Sequence, residues 1–275
     1  MQILNAAAYR FVPLDDLPGL RANLIERALY LGLKGTILLA PEGINLFLAG
    51  AEDELERFLA LLLRDRRFAG MPVKRSYSEE QPFNRMLVKI KREIIALRRP
   101  DIDPARNPAP RLDPRELKRW LDEGRELLLL DTRNRFEVEL GTFDGAAGLQ
   151  LNSFSELPRA AERIDPRWRE RPVVTFCTGG IRCEKAAPLL LDLGFREVVQ
   201  LDGGLLKYFE DCGGAHFSGE CFVFDKRVAL DSGLKQTGTT QCYACQAVVP
   251  ATEQRSPDYI VGVSCPHCKR DALAA

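Results

Sequence analysis

Cys177-Thr178-Gly179-Gly180-Ile181-Arg182 is the stretch of this chain whose residue types and spacing can do chemistry. Val173-Val174-Thr175-Phe176 ahead of it reads as a buried strand, and Ala186–Leu193 behind it as a helix. A strand–loop–helix places the cysteine at the carboxyl end of a sheet strand, where open α/β sheets bind ligands. The glycines let the backbone N–H groups of Thr178, Gly179, Gly180 and Ile181 converge on one point, as in an anion-binding nest. The helix N-terminus and Arg182 add positive potential. All three effects favour thiolate over thiol, and such settings lower a cysteine pKa from about 8.5 to roughly 3.5–7.5. The expected chemistry is nucleophilic or redox, carried by the Cys177 sulfur, with Arg182 and the Gly179–Gly180 backbone stabilising negative charge on it. The plainer alternative, a buried structural cysteine with glycines for tight packing, leaves the Gly-Gly pair and the arginine without a use. The reading requires the sulfur to meet solvent and its thiol to ionise more easily than free cysteine; burial away from solvent, or an unshifted thiol, collapses the mechanistic case.

Cys183 follows the loop directly. It either resolves an oxidised or persulfidated Cys177 by thiol exchange or packs at the helix start. A second cysteine set lies near the C-terminus. Cys242-Tyr243-Ala244-Cys245 and Cys265-Pro266-His267-Cys268 are two C-x-x-C pairs with residues 246–264 between them, a spacing in the zinc-ribbon range. Each pair is a two-thiolate knuckle, and two knuckles complete a tetrahedral structural zinc site. Reduced thiols or a redox pair are the alternatives. His267 lies inside the second knuckle and reads as a bystander; Cys212 and Cys221 are isolated and read as structural.

The elements that must position these groups fall into two α/β stretches. Ala6–Val12 reads as a short strand, and Leu17, Leu20, Leu24, Ala28 and Leu31 recur at helical spacing until Gly32. Lys34–Ala40 and Ile44–Leu48 are apolar runs joined by Pro41-Glu42-Gly43, as in a hairpin. Glu52–Leu63 is a second amphipathic helix, with Leu55, Phe58, Leu59 and Leu62 on one face; Val73–Ser76 and Met86–Ile90 are further strands. The order predicts a ferredoxin-like (acylphosphatase-like) α+β domain over residues 1–97. Pro100, Pro104, Pro108 and Pro110 then mark residues 98–112 as an extended linker. Residues 113–211 alternate again: a helix at Arg115–Asp122, a strand at Leu127–Asp131, a helix near Ser155–Arg163, and the strand that leads into the loop. A helix from Glu184, a strand at Val198–Leu201 and a helix after Gly203-Gly204 complete a parallel α/β sheet domain. Residues 212–275 form a small Cys-rich appendage.

Composition sets outer limits. The 275 residues are 45% hydrophobic and 28% charged, a globular balance for about two domains. Lys plus Arg equals Asp plus Glu at 39 each, so no global field draws nucleic acid or membrane. No apolar run approaches the roughly 18 residues needed to span a bilayer, and the N-terminus lacks the pattern of a signal peptide. The expectation is a cytoplasmic protein without a membrane partner, whose close cysteine pairs bind metal or do catalysis rather than form disulfides.

Locally the charge is uneven. From Arg64 to Arg99, eleven basic residues stand against four acidic ones, and Tyr77 and Phe83 interleave with them. Arg66, Arg67, Lys74, Arg75, Lys89, Lys91 and Arg92 are the candidates for an RNA-docking patch with stacking surfaces. A solvated strand-and-helix face is the plain alternative.

The residues resemble a known domain. Leu128-Leu129-Leu130-Asp131-Thr132-Arg133, the acidic Glu137, Gly141-Thr142-Phe143-Asp144-Gly145-Ala146, the loop itself and Gly203-Gly204 are similar to the motifs of rhodanese domains over about residues 113–211. The usual Gly-His-Ile stands here as Gly141-Thr142-Phe143, so any role of that histidine is missing. Related phosphatases carry a wider loop that holds phosphate. Four residues between Cys177 and Arg182 make a tighter cradle, better suited to a persulfide sulfur. With Pro41-Glu42-Gly43-Ile44-Asn45, Cys183-Glu184-Lys185-Ala186, Gly219-Glu220-Cys221-Phe222-Val223-Phe224-Asp225 and Arg227-Val228-Ala229, the whole chain resembles the TrhO family. These are bacterial rhodanese-domain proteins that hydroxylate wobble uridine of tRNA at C5 with dioxygen.

That resemblance implies tRNA as partner, dioxygen as co-substrate and an essential loop cysteine. The residues alone show only a nucleophilic or redox cysteine. No motif for flavin, haem or facial-triad iron is visible, and His216 and His267 are the two histidines. The oxygen-activating species, the electron donor, the tRNAs chosen and the oligomeric state are left open. A sulfurtransferase working through a Cys177 persulfide and a non-enzymatic binding module with a redox-sensing cysteine are the rival readings.

Overall fold

The computed structural model describes residues 2–268, and the chain divides into two compact units between Pro108 and Ala109. The first unit runs β1 (Ile3–Phe11), α1 (Leu17–Tyr30), β2 (Lys34–Ala40), β3 (Gly43–Gly50), α2 (Glu52–Leu63), β4 (Val73–Ser78) and β5 (Met86–Ile90). Its sheet has the order β4-β1-β3-β2-β5; β5 lies parallel to β2 and adds an edge strand to the split βαβ core. Asp16 caps α1 by accepting from Gly19 N, with Pro18 in the first turn. Leu55, Phe58, Leu59 and Leu62 of α2 are buried with Leu4, Ala6 and Ala8 of β1 and Ile44, Leu46 and Leu48 of β3 in one core. The strand residues recur at every second position, as half-buried strands require.

The second unit continues with β6 (Arg111–Leu112), α3 (Pro114–Asp122), β7 (Leu128–Asp131), α4 (Arg135–Leu140), β8 (Gly141–Phe143), β9 (Ala147–Gly148) and α5 (Leu157–Ala161). Then follow β10 (Pro172–Phe176), α6 (Ile181–Asp192), β11 (Glu197–Leu201), α7 (Gly204–Cys212), β12 (Phe217–Gly219), β13 (Cys221–Phe222), β14 (Ala229–Leu230), β15 (Thr240–Gln241) and β16 (Val248–Val249). The main sheet, β6-β11-β10-β7-β9, is parallel throughout. β10 sits at its centre with Val173, Val174, Thr175 and Phe176 all buried, which is why this strand reads as a continuous apolar run.

Three local readings change. Arg111 and Leu112, expected in the linker of residues 98–112, pair with Gln200 and Leu201 and form the edge strand of the sheet. Pro110 precedes this strand, a position where a missing N–H costs no ladder bond. The helix expected near Ser155–Arg163 is a short 3-10 turn followed by only Leu157–Ala161. α6 begins at Ile181 rather than Glu184, so Arg182 and Cys183 belong to its first turn. A helix absent from the sequence reading, α4, was announced by Asn134 and Glu137 at capping-box spacing; Glu137 Oε2 accepts from Asn134 N at 3.1 Å.

α7 starts against the loop. Leu205 N donates to Cys177 O at 2.9 Å and Leu206 N to Thr178 O at 3.1 Å. Gly204 has φ +65°, and a Cβ there would lie 2.4 Å from Cys177 O and 2.8 Å from Gly180 N. Gly204→Ala is therefore expected to lower stability by about 2 kcal/mol or more, from the left-handed backbone and the clash with backbone atoms. Chemical denaturation of this variant with an unchanged midpoint contradicts that placement.

Candidate active site

The loop after β10 is closed by Gly180, whose φ of +99° turns the chain into α6. An L side chain rarely adopts that angle, which accounts for the glycine. Gly180 N donates to Cys177 Sγ at 3.2 Å. Burial alone would push the Cys177 thiol up. A hydrogen bond from the Cys183 thiol, the charge of Arg182 and the backbone N–H groups of Arg182 and Gly180 outweigh it and bring the group down to about 5. Burial first, and then the Cys177 sulfur beside it, push the Cys183 thiol well above the usual thiol range. One sulfur is thus ionised and the other is its proton-bearing partner.

The guanidinium of Arg182 is committed elsewhere. Nη1 donates to Glu137 Oε2 at 2.6 Å and Nη2 to Glu137 Oε1 at 2.7 Å, a bidentate pair that is almost wholly buried. Thr178 Oγ1 also donates to Glu137 Oε1, at 3.3 Å. Arg182 was expected to stabilise charge on sulfur, and it does contribute. Among the groups that favour the thiolate, the Cys183 hydrogen bond comes first, the charge of Arg182 second and the backbone N–H groups of Arg182 and Gly180 after them. Glu137 is the residue whose role the sequence reading missed: its capping-box position and acidic character were visible, its partner was not.

Cys177 has no exposed surface. The sequence reading required an open sulfur, and the structure closes it. The β13–β14 hairpin lies on the loop: Phe222 O accepts from Thr178 Oγ1 at 3.5 Å, and the Phe224 ring packs over the Arg182 guanidinium at 5.8 Å. Ionisation here does not depend on water, because the dipoles are built in.

Thr142 and Phe143, standing where rhodanese motifs carry His-Ile, serve the interior. Thr142 Oγ1 donates to Asp131 Oδ2 at 2.8 Å, beside the fully buried Asp131–Arg133 pair. Phe143 packs edge-on against Phe176 and Tyr208. Cys221 is buried, and desolvation pushes its thiol up to about 11, in keeping with a packing role. Cys212 is half-buried and also shifted up by desolvation.

The sulfurs of Cys242, Cys245, Cys265 and Cys268 all lie within 4.8 Å of one another. Cys242–Cys268 and Cys245–Cys265 are 3.6 Å apart and Cys265–Cys268 3.7 Å. Four sulfurs at ~2.3 Å from a central zinc form a tetrahedron with edges of ~3.8 Å, so the donor set fits that ion in chemistry and in size. His267 is turned away to Glu253, with Nε2 to Oε2 at 2.7 Å. The apolar core here is little more than Cys242, Val249 and Cys265, too small to hold a fold without a staple.

Comparison with known proteins agrees with this architecture. Residues 3–94 match the UPF0176 acylphosphatase-like domain and residues 113–211 the rhodanese-like domain. The chain is 52% identical over 282 residues to the tRNA uridine(34) hydroxylase of Cupriavidus pinatubonensis, covering 100% of both. It is 53% identical to that of Cupriavidus taiwanensis, covering 98% of this chain and 97% of the relative. The chain belongs to the tRNA uridine(34) hydroxylase family. Among solved structures, the rhodanese-like domain of an Anabaena protein is 26% identical, covers 40% of this chain and 79% of its own, and superposes with a TM-score of 0.34. No described helix is long and apolar enough to cross a membrane.

For this family member the expected RNA patch is divided. β4 and β5 are opposite edges of the first sheet, so Lys74–Arg75 and Lys89 are separated by four strand spacings, ~19 Å. Lys74 and Arg75 also face opposite sides: Arg75 registers with the buried Ala6 and pairs with Glu56 at 2.5 Å, while Lys74 registers with Ala7. Arg67 is paired with Asp65 at 2.6 Å. Arg66, Lys89, Lys91 and Arg92 are exposed. Tyr77 is exposed, with its hydroxyl on Glu52. The sequence counted charge along the chain and could not see which strands become edges.

Two measurements follow. The thiolate absorbance of the wild type minus that of Cys177→Ser is expected to appear in a step near pH 5 and to stay constant through neutrality, because a depressed pKa leaves the group ionised above it. A step near 8.5, the free-cysteine value, refutes the cradle. Stripping metal with a chelator is expected to release about one zinc per chain and to lower Tm; Cys265→Ser should do the same. A purified chain that carries no zinc and is indifferent to chelator removes the staple.

Proposed function

We propose that this protein hydroxylates the wobble uridine of tRNA at C5, acting through Cys177 in the cytoplasm, where that substrate resides. The full-length identity to tRNA uridine(34) hydroxylases carries the reading, since it spans the first domain and the Cys-rich tail as well as the rhodanese unit. The ionised Cys177 supplies a chemical centre for it. In the net reaction C5–H becomes C5–OH: one atom of dioxygen enters the base, and the other leaves as water with two electrons and two protons from an external reductant. Cys177 and Arg182 are assigned to the reacting centre, with the backbone N–H groups of Gly180 and Arg182 donating to the sulfur and Thr178, Gly179 and Ile181 completing the loop around it. Cys183, hydrogen-bonded to Cys177, is assigned as the thiol that resolves an oxidised or persulfidated Cys177.

In this reading residues 1–97 dock RNA. Arg66, Lys89, Lys91 and Arg92 are the exposed candidates; Arg67 and Arg75 are weaker ones because carboxylates already neutralise them. Residues 113–211 carry the catalytic domain, and the Cys-rich region of residues 212–275 holds a structural zinc on Cys242, Cys245, Cys265 and Cys268. The zinc stabilises the fold and takes no part in the reaction.

Sulfane-sulfur transfer through a Cys177 persulfide is the second reading, favoured by the same tight loop. It gives no role to the first domain. Cys177→Ser is expected to abolish hydroxyuridine in tRNA from cells that depend on this protein, measured by mass spectrometry of nucleosides. Normal hydroxyuridine in that strain rules out the cysteine-centred mechanism, and thiosulfate turnover without any tRNA product favours sulfur transfer.

A further inference from the structure

A hydroxylase acting at C5 of a base must meet the base's edge, and enzymes of this kind turn the base out of its stack to do so. Something must then hold the face of the extruded ring. In the unit from Ala109 onward, the exposed large aromatics among the described residues are Phe224, 52% exposed, and Tyr243 in the first zinc knuckle. Phe224 is the one in contact with the active loop.

Its setting is rigid. Phe224 stands at the tip of the β13–β14 hairpin, closed beneath it by Val223 N to Val228 O at 2.8 Å and Val228 N to Asp225 O at 3.0 Å. Asp225 accepts from Arg227 N, Nε and Nη2, the last at 2.6 Å, so the turn is braced by a mostly buried ion pair. Val228 is held at φ +61°, a conformation that a β-branched residue adopts only when its surroundings impose it. The Phe222 and Phe224 rings lie 5.1 Å apart at 82°, in a T-shaped contact, and Phe222 in turn meets Phe136 at 5.0 Å. The Arg182 guanidinium lies over the Phe224 ring, and half of the ring surface is left to solvent. Lys226, exposed, follows two residues on. Single exposed aromatics are ordinary. One fixed from several sides, on a strained turn, above the arginine of a reactive loop is not explained by the fold.

We propose that Phe224 is the stacking platform for the extruded pyrimidine base of the RNA substrate, and that Lys226 holds a phosphate of the same nucleotide stretch. Stacking occupies the face of the ring and leaves the C5–C6 edge free to point toward the active loop. The aromatic matters for its π-face, and the lysine for its charge; the two make separable contributions. The inference rests on the reading of the protein as a tRNA uridine hydroxylase.

The test uses the full-length protein and an anticodon stem-loop RNA, either with uridine at the wobble position or abasic there. Binding is followed by fluorescence anisotropy at several salt concentrations, and hydroxyuridine formation by nucleoside mass spectrometry. Phe224→Ala is expected to weaken binding of the uridine RNA at least about fivefold, the lower end for loss of a base–aromatic stack. The abasic RNA should bind wild type and variant alike, Phe224→Tyr should retain binding, and Phe224→Leu should behave as the alanine variant. Lys226→Ala should weaken both RNAs equally and reduce the slope of log K against log salt by about 0.7; Phe224→Ala should leave that slope unchanged. Equal losses on uridine and abasic RNA for Phe224→Ala, or full retention by leucine, overturn the platform. Thermal melting of each variant separates these outcomes from misfolding. If wild type binds the RNA and shows the expected cycle but forms no hydroxyuridine, the hydroxylase reading fails and the platform stands.

Discussion

A negative charge on sulfur, held where water does not reach, is the constraint around which the second unit is built. Desolvating a thiolate is costly, and here the cost is met by the thiol of Cys183, the charge of Arg182 and the backbone N–H groups of Arg182 and Gly180. Those dipoles point at one atom only because Gly180 takes a left-handed angle and because α7 begins on glycines that let its first N–H groups reach the loop carbonyls. The Arg182–Glu137 pair sits one layer out. Removing either member of such a pair strands a buried charge, at about 3–5 kcal/mol. α4, a helix of less than two turns, exists to deliver Glu137 to that position.

The closed sulfur reconciles an ionised thiol with a protected one. A thiolate open to solvent is prone to oxidation, and a buried one is shielded from it. The β13–β14 hairpin, which carries Phe222 and Phe224, meets the loop at Thr178 and Arg182.

The tail and the first domain meet different demands. In the tail the apolar cluster around the cysteine pairs is small, and the sulfurs of Cys242, Cys245, Cys265 and Cys268 lie close enough together to hold a metal ion. In the first domain, pairing order puts Lys74–Arg75 and Lys89 on opposite sheet edges, and strand alternation puts the neighbours Lys74 and Arg75 on opposite faces. Any RNA contact there uses a subset rather than the full run.

What the sequence by itself determined were features with short range. The buried run of β10 next to Gly-Gly and Arg marked the loop, the two C-x-x-C pairs marked the metal donors, and helical and strand periodicities marked most elements. Each is encoded in a few adjacent residues, because backbone angles, ligand spacing and amphipathic period are local properties. Only the tertiary structure decided that Glu137 pairs with Arg182, that Arg111 and Leu112 join the sheet, that the basic run splits between two edges, and that the hairpin carrying Phe224 lies on the active loop. Those outcomes join residues tens of positions apart, and nothing in local pattern specifies which strand becomes an edge or which hairpin meets the loop. They are set by how whole layers pack, where burial of one surface dictates the company that a distant side chain keeps.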